Sequence, residues 1–211
     1  MATDIKQAVI LCAGLGTRLR PVTDTVPKVM IPILGKPLLL RHIEQFKKHD
    51  VTEFFINTHY LPNVITDYFG DGSAFGVKIV YSFEKEPLGT AGGVKGFEKK
   101  LDDAFFLIYG DVFSLVDYSK MRKVWEKLPS DTLGMQRMRG THMRGIFILR
   151  KKVLSFISSH APYEISGHLL PDIASRGLPF YSYECDDFSK GIDTVEKWRE
   201  VEAYLRTLLY I

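Results

Sequence analysis

The stretch Ala8–Pro21, AVILCAGLGTRLRP, followed by Pro27-Lys28, decides the fold of this chain. It begins with the apolar run Ala8–Cys12, the pattern of a short strand buried on both faces. The run leads directly into a glycine-rich loop that carries arginines. In open α/β sheets, ligands bind beyond the carboxyl ends of the strands, so this loop is the first candidate for a binding site.

The loop has the composition of a triphosphate-binding site. Gly14 and Gly16 have no Cβ, so backbone N–H groups can approach phosphate oxygens closely. Arg18 and Lys28 supply positive charge that neutralises a polyanion. The loop is not a P-loop, because no Gly-Lys-Ser/Thr occurs in it, and it is not the dinucleotide fingerprint, because Leu19 stands in place of the third glycine. The sequence therefore predicts a phosphate loop of another kind.

The order Gly-x-Gly-Thr-Arg-Leu at residues 14–19, with Pro-Lys at 27–28, resembles the signature of the sugar-1-phosphate nucleotidylyltransferases. These enzymes join a nucleoside triphosphate to a sugar 1-phosphate and release pyrophosphate. The resemblance is strongest from Ala8 to Asp111. It implies catalytic roles for Arg18, at the β- and γ-phosphates, and for Lys28, around the reacting phosphates. It also implies that the nucleotide is bound by Leu11, Ala13, Gly14, Gly16 and Thr17.

Length and composition predict one domain over residues 1–211, with 45% hydrophobic and 25% charged residues. The formal net charge of +3 is too small to indicate nucleic acid or an acidic membrane as a partner. Cys12 and Cys185 imply no disulfide framework and have no metal-ligand spacing. Residues 1–6 lack the apolar core of a signal peptide, and no apolar run is long enough to cross a membrane. We therefore expect a cytoplasmic monomer or small homo-oligomer.

Strands and helices alternate in the first half of the sequence. Strands are predicted at 8–12, 53–57, 78–82 and 104–109, with helices at 37–48, 63–69 and 90–99. The second half predicts helices at 118–128, 169–175 and 195–209 and strands at 132–138, 145–149 and 180–185. This order predicts an α/β fold with a mostly parallel, twisted sheet covered on both faces. The resemblance makes it the Rossmann-like three-layer sandwich of the nucleotide-diphospho-sugar transferases.

The segment Glu84–Gly93, EKEPLGTAGG, lies between a predicted strand and a predicted helix, where ligands bind in open sheets. It resembles a second motif of the same family. There the glycine packs against the nucleotide base and a residue before the proline contacts the base edge. These positions are Gly89 and Glu84 here. The alternative for the segment alone is a turn and a helix start capped by Thr90.

Two aspartates are candidates for a magnesium site. Asp111 follows an apolar strand, and its carboxylate is expected to point into the ligand crevice. The family has a metal-binding aspartate at this Gly-Asp, and its late Ile-Asp-Thr motif, here with Asp193, supplies a second. Mg²⁺ prefers hard oxygen ligands and takes one or two carboxylates beside phosphate oxygens. The alternatives are that Asp111 belongs to a turn and that Asp193 caps the last helix.

One departure from the family concerns the acceptor. Family members carry Glu-Lys-Pro after the strand at 132–138, and its lysine meets the sugar phosphate. Here residues 138–144 lead at once into Gly-Ile-Phe without it. Either the element is absent from the protein, or a mobile loop is missing near 138–145. We favour the second, because both flanks match the family.

The resemblance leaves the substrates open. We expect GTP with a mannose- or heptose-type 1-phosphate, and Mg²⁺ as cofactor. The alternatives are a cytidylyl- or uridylyltransferase that acts on phosphocholine or glucose 1-phosphate, and a regulatory subunit that keeps the fold without catalysis. The intact Arg18, Lys28 and Asp111 argue against the last of these.

Overall fold

A computed structural model of the chain describes residues 4–158 and 162–209, without the side chains of residues 143, 144 and 209. Residues 1–3, part of the segment 1–6 that lacks the apolar core of a signal peptide, lie outside these ranges. The strands are β1 (Gln7–Leu11), β2 (Pro32–Ile33), β3 (Lys36–Pro37), β4 (Glu53–Thr58), β5 (Lys78–Phe83), β6 (Ala104–Tyr109), β7 (Val112–Ser114), β8 (Gly134–Arg139), β9 (His142–Arg150), β10 (Phe180–Glu184) and β11 (Ser189–Gly191). The helices are α1 (Leu38–Lys47), α2 (Pro62–Phe69), α3 (Gly89–Lys95), α4 (Tyr118–Trp125), α5 (Leu170–Ser175) and α6 (Val195–Leu209).

A seven-stranded sheet in the order β10-β8-β9-β6-β1-β4-β5 forms the centre of the fold. β1 pairs in parallel with β4 and β6, and β4 pairs in parallel with β5. β9 runs antiparallel between β6 and β8, and β10 is parallel to β8. This mixed α/β architecture with a mostly parallel central sheet confirms the fold class predicted from the sequence.

The apolar character of β1 follows from burial on both of its faces. Val9 packs in one hydrophobic cluster and Ile10 in another, and neither has any exposed surface. This separation arises because successive side chains in a strand point to opposite faces. Since β1, β4, β5 and β6 are parallel, the residues after each of them meet at one edge of the sheet.

Several helices differ from the sequence prediction at their ends. α3 ends at Lys95 rather than at residue 99, because Gly96 is followed by turns in which Phe97 and Lys100 donate backbone hydrogen bonds. α4 ends at Trp125 rather than at residue 128, and the helix predicted at 169–175 is preceded by a π-helical turn, Ile165–Leu169. Of the helices in the described ranges, none combines the length and apolar character needed to span a membrane.

Two short ribbons were not predicted, because strands of two or three residues show no periodicity. β2 pairs with β3, and β7 pairs antiparallel with β11. A separate hydrophobic cluster connects this region to α6 through Leu19, Ile31, Ile192 and Val201, all of them fully buried. As a result, the segment that follows β11 lies beside the end of β6.

The region of the missing Glu-Lys-Pro element is a tight hairpin. β8 and β9 pair as far as Arg139 and His142, which are joined by Gly140 and Thr141. Gly140 has a φ of 58°, a conformation that glycine adopts without steric cost. In this sequence, two residues are enough to join β8 to β9. The additional loop expected near 138–145 therefore stays a prediction, and it would have to be inserted into this turn.

Candidate active site

A cavity of about 280 Å³ lies at the carboxyl edge of the parallel strands. Most residues predicted from the sequence line it, namely Leu11, Ala13, Gly14, Gly16, Lys28, Glu84, Gly89 and Asp111. Thr17 and Arg18 lie beside it in the 3₁₀ turn Thr17–Leu19, and Asp193 contacts Arg18. The cavity is also lined by Cys12, Asn57, Thr90, Tyr109 and Glu164, which the sequence had not assigned to the site.

The glycine-rich loop presents unused backbone donors to this cavity. The amides of Ala13, Gly14, Leu15 and Gly16 donate no hydrogen bond to any residue that the structure describes. Gly16 has a φ of 65°, and its carbonyl accepts a hydrogen bond of 2.8 Å from the Thr23 hydroxyl. Successive free amides in such a turn form a concave site for an anion. The loop therefore has the geometry of an anion site, as the sequence predicts.

Both cations of the phosphate loop face the proposed metal-binding carboxylates. The Lys28 ammonium lies 2.6 Å from a carboxylate oxygen of Asp111, and the Arg18 guanidinium lies 2.7 Å from one of Asp193. The Lys28 side chain is only 12% exposed, whereas that of Arg18 is 69% exposed. Lys28 thus lines the cavity, whereas Arg18 is largely exposed. A bound triphosphate would have to share these cations with the two aspartates.

The backbone around Asp111 is fixed from three directions. Gly110 donates its N–H to the Leu11 carbonyl at 2.9 Å, and the His42 ring nitrogen Nε2 lies 3.0 Å from the Gly110 carbonyl. A Cβ on Gly110 would lie 2.5 Å from the Leu11 carbonyl oxygen, so only glycine fits. Ile192 donates its N–H to the Asp111 carbonyl at 2.7 Å. The last contact places Asp193 next to Asp111.

Asp193 does not cap the last helix. α6 begins at Val195, and the Thr194 hydroxyl accepts a long hydrogen bond of 3.4 Å from the Lys197 amide. The Lys197 ammonium, 2.6 Å from the Asp193 carboxylate, lowers the pKa of Asp193, and Arg18 adds to this effect. Asp193 is therefore ionised at neutral pH and lies beside Arg18.

The residues present fit a magnesium ion that arrives with a triphosphate. Asp111 and Asp193 supply hard carboxylate oxygens from neighbouring backbone segments. Over residues 4–158 and 162–209, no group of three or more His, Cys, Asp or Glu side chains is gathered for a metal. Phosphate oxygens and water would therefore complete the coordination, which is the usual way in which proteins bind Mg²⁺ with nucleotides.

Glu84 is held rigidly in the wall of the cavity. One carboxylate oxygen accepts a hydrogen bond of 2.7 Å from the Asn57 amide, and the other accepts one of 2.9 Å from the Leu88 N–H. Asn57 in turn accepts a hydrogen bond of 2.8 Å from the Cys12 N–H. A Cβ on Gly93 would lie 2.5 Å from Asn57, which explains the glycine in this helix. The hydrogen-bonded pair Asn57 and Glu84 thus connects the carboxyl ends of β1, β4 and β5.

Gly89 brings a distant segment onto the cavity. It has a φ of 79°, and a Cβ here would lie 2.6 Å from the Tyr163 carbonyl oxygen. The close approach lets the Ala91 N–H donate to that carbonyl at 2.9 Å. Glu164 accepts hydrogen bonds from the Thr90 N–H at 3.1 Å and the Thr90 hydroxyl at 2.6 Å. Thr90 thus fixes Glu164 in the cavity wall.

Cys12 is buried beside the cavity. The residue is 2% exposed, and burial raises the pKa of its thiol well above the usual range. The thiolate is the reactive form of cysteine, so this side chain contributes packing only.

The buried imidazole of His42 predicts acid sensitivity. Burial lowers the pKa of His42 from 6.5 to about 4, although the Gly110 carbonyl and Asp111 oppose the shift. As the pH falls from 6.5 toward 4, the unfolded chain takes up a proton that the folded protein refuses. The free energy of unfolding should therefore fall by roughly 3 kcal/mol over this range because of His42 alone. Urea unfolding at pH 7 and pH 5 should show about 2 kcal/mol of this loss, because pH 5 lies only part of the way from 6.5 to 4.

The matched variants for this measurement are His42→Gln and His142→Gln. Glutamine at 42 still offers a donor to the Gly110 carbonyl, so His42→Gln should lose less stability than the wild type between pH 7 and pH 5. His142 is exposed, so His142→Gln should follow the wild type. An identical pH response in all three proteins would contradict the assignment.

The fold and the cavity define an α/β protein with a glycine-rich loop at the carboxyl edge of a mostly parallel sheet. The family model described as "Nucleotidyl transferase" matches residues 7–140. The chain therefore belongs to the nucleotidyl transferase family. Proteins of this family generally use divalent metal ions.

Several relatives are similar in sequence. The chain is 31% identical to UTP--glucose-1-phosphate uridylyltransferase of Synechocystis sp., over 85% of this chain and 58% of that protein. It is 43% identical to D-glycero-alpha-D-manno-heptose 1-phosphate guanylyltransferase of Campylobacter jejuni, over 55% of this chain and 52% of that protein. A protein of the same name from Aneurinibacillus thermoaerophilus is 33% identical, over 93% of this chain and 84% of that protein. The chain thus spans little more than half of the first two relatives.

Solved structures support the fold. HddC from Yersinia pseudotuberculosis superimposes with a TM-score of 0.80 at 23% identity, over 95% of this chain and 100% of that one. The inositol-1-phosphate CTP transferase from T. maritima superimposes with a TM-score of 0.79 at 19% identity, over 98% of both chains.

Proposed function

We propose that this protein transfers a nucleotidyl group from a nucleoside triphosphate to a sugar 1-phosphate, with GTP and a mannose- or heptose-type 1-phosphate as substrates. The observation that carries the proposal is one cavity lined by Ala13, Gly14 and Gly16, whose amides are unused within the described residues, together with Lys28 and Asp111. An array of donors and cations of this kind suits phosphoryl chemistry, which depends on positioning and charge stabilisation.

In the proposed reaction, a phosphate oxygen of the sugar 1-phosphate attacks the α-phosphorus of the triphosphate. The bond from the α-phosphorus to the bridging oxygen breaks, and pyrophosphate leaves. Lys28 stabilises negative charge around the reacting phosphates, and Arg18 holds the β- and γ-phosphates. Asp111 and Asp193 would hold Mg²⁺, which supplies charge neutralisation at the phosphate oxygens. Leu11, Ala13, Gly14, Gly16 and Thr17 bind the nucleotide.

The preference for guanine rests on Glu84. Its carboxylate is an acceptor without donors, and its oxygens are fixed by Asn57 and the Leu88 amide. Guanine presents adjacent N1–H and N2–H₂ donors on one edge, which match two acceptor oxygens. Uracil presents a single N–H between two carbonyl oxygens, and those oxygens would oppose the carboxylate. Unmatched polar groups of this kind discriminate strongly between ligands. Heptose and mannose 1-phosphate guanylyltransferases among the relatives are in keeping with this preference.

The proposal includes the setting of the reaction. Mg²⁺ is the metal, because carboxylate and phosphate oxygens are its preferred ligands. The protein works in the cytoplasm as a monomer or small homo-oligomer, with no nucleic acid or membrane partner. Light scattering of the purified protein measures the oligomeric state.

The test is pyrophosphate release with ATP, GTP, CTP or UTP against mannose, heptose and glucose 1-phosphates and phosphocholine. GTP with the mannose or heptose compound should give the highest kcat/KM. Glu84→Gln should lower kcat/KM for GTP by about 100-fold and reduce the preference for GTP over UTP, because one acceptor oxygen becomes a donor. Glu86→Gln is the matched control, since Glu86 is exposed and does not line the cavity.

Each failure has a distinct meaning. A preference for UTP or CTP would overturn the choice of base and leave the reaction class intact. A folded wild-type protein that releases no pyrophosphate with any pair would overturn the reaction and favour a non-catalytic subunit.

A further inference from the structure

The short ribbon formed by β7 and β11 carries both candidate magnesium ligands at one of its ends. β7 directly follows Asp111, and β11 ends two residues before Asp193. At the opposite end of the ribbon, Ser189 pairs with Ser114. A two-stranded ribbon is at best marginally stable on its own, so the arrangement of the two aspartates depends on what fixes the ribbon to the rest of the molecule.

Arg137 reaches the far end of β11 from the central sheet. It lies in β8 and has no exposed surface. Its Nη1 donates a hydrogen bond to the Ser189 hydroxyl. Its Nη2 donates to the carbonyls of Cys185, at 3.1 Å, and Asp187, and its Nε donates to the Cys185 sulfur at 3.3 Å. The planar guanidinium thus holds three residues of the segment that leads into β11.

The charge of Arg137 is buried without a carboxylate partner. Within the described ranges, every group that accepts a hydrogen bond from it is a neutral oxygen or sulfur. Arg139, also in β8, is by contrast exposed and lies 3.8 Å from Asp186 at the surface, where ion pairs contribute about 1 kcal/mol or less. Burial of an unpaired charge costs free energy that an apolar side chain would not cost. This cost is in keeping with a role in fixing one arrangement of the chain.

Two other hydrogen bonds reach the same segment from the side of β7. The Leu115 N–H donates to the Phe188 carbonyl at 2.9 Å, and the Asp117 N–H donates to the Asp187 carboxylate at 3.0 Å. Both donors follow β7 closely in the chain, so they connect the two halves of the ribbon to each other. Arg137 instead connects the ribbon to the seven-stranded sheet.

We infer that Arg137 is a positioning residue for magnesium, because it fixes β11 and thereby holds Asp193 beside Asp111. The inference rests on the proposed function, in which these two aspartates hold the metal. The path runs from the guanidinium to Ser189, along β11, and to the Ile192 N–H, which donates to the Asp111 carbonyl at 2.7 Å. Replacement of groups that orient metal ligands typically lowers metal affinity by about 10- to 100-fold. Loss of this anchor should therefore weaken Mg²⁺ binding and leave the GTP contacts intact.

The experiment compares Arg137→Lys with Arg150→Lys. Lysine keeps the charge, but a single ammonium cannot replace the guanidinium fork. Arg150 ends β9 and donates to the Thr132 carbonyl at 3.1 Å and to Asp103, so it is the matched control. Hydrogen exchange of residues 185–193 is measured with GTP, without acceptor, over a range of Mg²⁺ concentrations. Mg²⁺ should slow this exchange in the wild type. The Mg²⁺ concentration at half-protection should rise about tenfold in Arg137→Lys and stay unchanged in Arg150→Lys.

A double-mutant cycle separates positioning from a general loss of structure. In an Asp193→Asn background, Arg137→Lys should cause no further rise in the Mg²⁺ concentration at half-protection, because the carboxylate that it positions is absent. Exchange in β1 and β4 should be the same in Arg137→Lys and in the wild type. Ser189→Ala gives a second measurement if Arg137→Lys does not fold. It removes one acceptor of the guanidinium and should raise the half-protection concentration about threefold, because one hydrogen bond is lost.

Turnover supplies an independent readout. At saturating Mg²⁺, Arg137→Lys should release pyrophosphate with the kcat of the wild type and with an unchanged KM for GTP. If the wild type releases no pyrophosphate, the proposed function fails, whereas a higher half-protection concentration in Arg137→Lys still supports the inference. Equal half-protection concentrations in both proteins, no protection of the wild type by Mg²⁺, or an equal rise in the Asp193→Asn background overturns the inference. A loss of kcat that Mg²⁺ does not restore also overturns it.

Discussion

Replacement of Asp111 by asparagine is expected to lower magnesium-dependent pyrophosphate release by at least about 1,000-fold. Asparagine keeps the shape of the side chain but removes the charge that would hold the metal and that now faces Lys28 at 2.6 Å. The measurement is turnover of GTP across a range of Mg²⁺ concentrations, together with GTP affinity with and without EDTA. In the wild type, EDTA should weaken GTP binding, because the triphosphate must then take Lys28 and Arg18 from uncompensated carboxylates. The loss of GTP affinity on addition of EDTA should be smaller in Asp111→Asn than in the wild type.

Asp103→Asn is the matched control for Asp111→Asn. Asp103 directly precedes β6, whereas Asp111 lies just beyond its other end. Asp103 is exposed and pairs with Arg150 at the surface, where ion pairs contribute about 1 kcal/mol or less to stability. Turnover of Asp103→Asn should equal that of the wild type. If Asp111→Asn kept turnover within tenfold of the wild type, Asp111 would not be a metal ligand.

Replacement of Lys28 by alanine is expected to lower turnover by about 100-fold or more, the usual effect of losing one group that stabilises developing charge. Lys28 is the more buried of the two cations, at 12% exposure against 69% for Arg18. Its removal also leaves Asp111 facing the triphosphate without compensation. The measurement is kcat for GTP and the acceptor, with the melting temperature as a check on folding. Arg18→Ala should also lower kcat.

Lys36→Ala provides the comparison for Lys28→Ala. Lys36 lies 2.6 Å from Glu44, but in an exposed pair outside the cavity. Its removal deletes an ion pair of the same length without touching the site, so kcat should not change. A folded Lys28→Ala protein with near-wild-type turnover would remove Lys28 from the mechanism.

The wall of the cavity formed by Tyr109 and Glu164 shows why part of the site could not be predicted from the sequence. Tyr109 directly precedes Gly110-Asp111, so its position in the sequence could have predicted that it lies near the candidate metal site. Glu164 had no such signal, since it comes from a segment that reaches the cavity only through the backbone contacts of Gly89 and Tyr163. Asn57 lies one residue before the end of β4 and Glu84 directly follows β5, but only the packed sheet brings their side chains to a hydrogen bond of 2.7 Å.

The sequence by itself determined the sheet and the location of the cavity. The apolar run Ala8–Cys12 is typical of a strand inside a sheet covered on both faces. Because parallel strands place their carboxyl ends at one edge, the loops after β1, β5 and β6 had to meet there. Tertiary structure decided the pairing of charges at that edge. Arg18 and Asp193 are 175 residues apart in sequence, and they meet because β11 pairs with β7 beside Asp111. Strands this short have no periodic pattern, and their formation depends on the burial of Ile192 and Val201 against Leu19 and Ile31, which is a property of the folded chain.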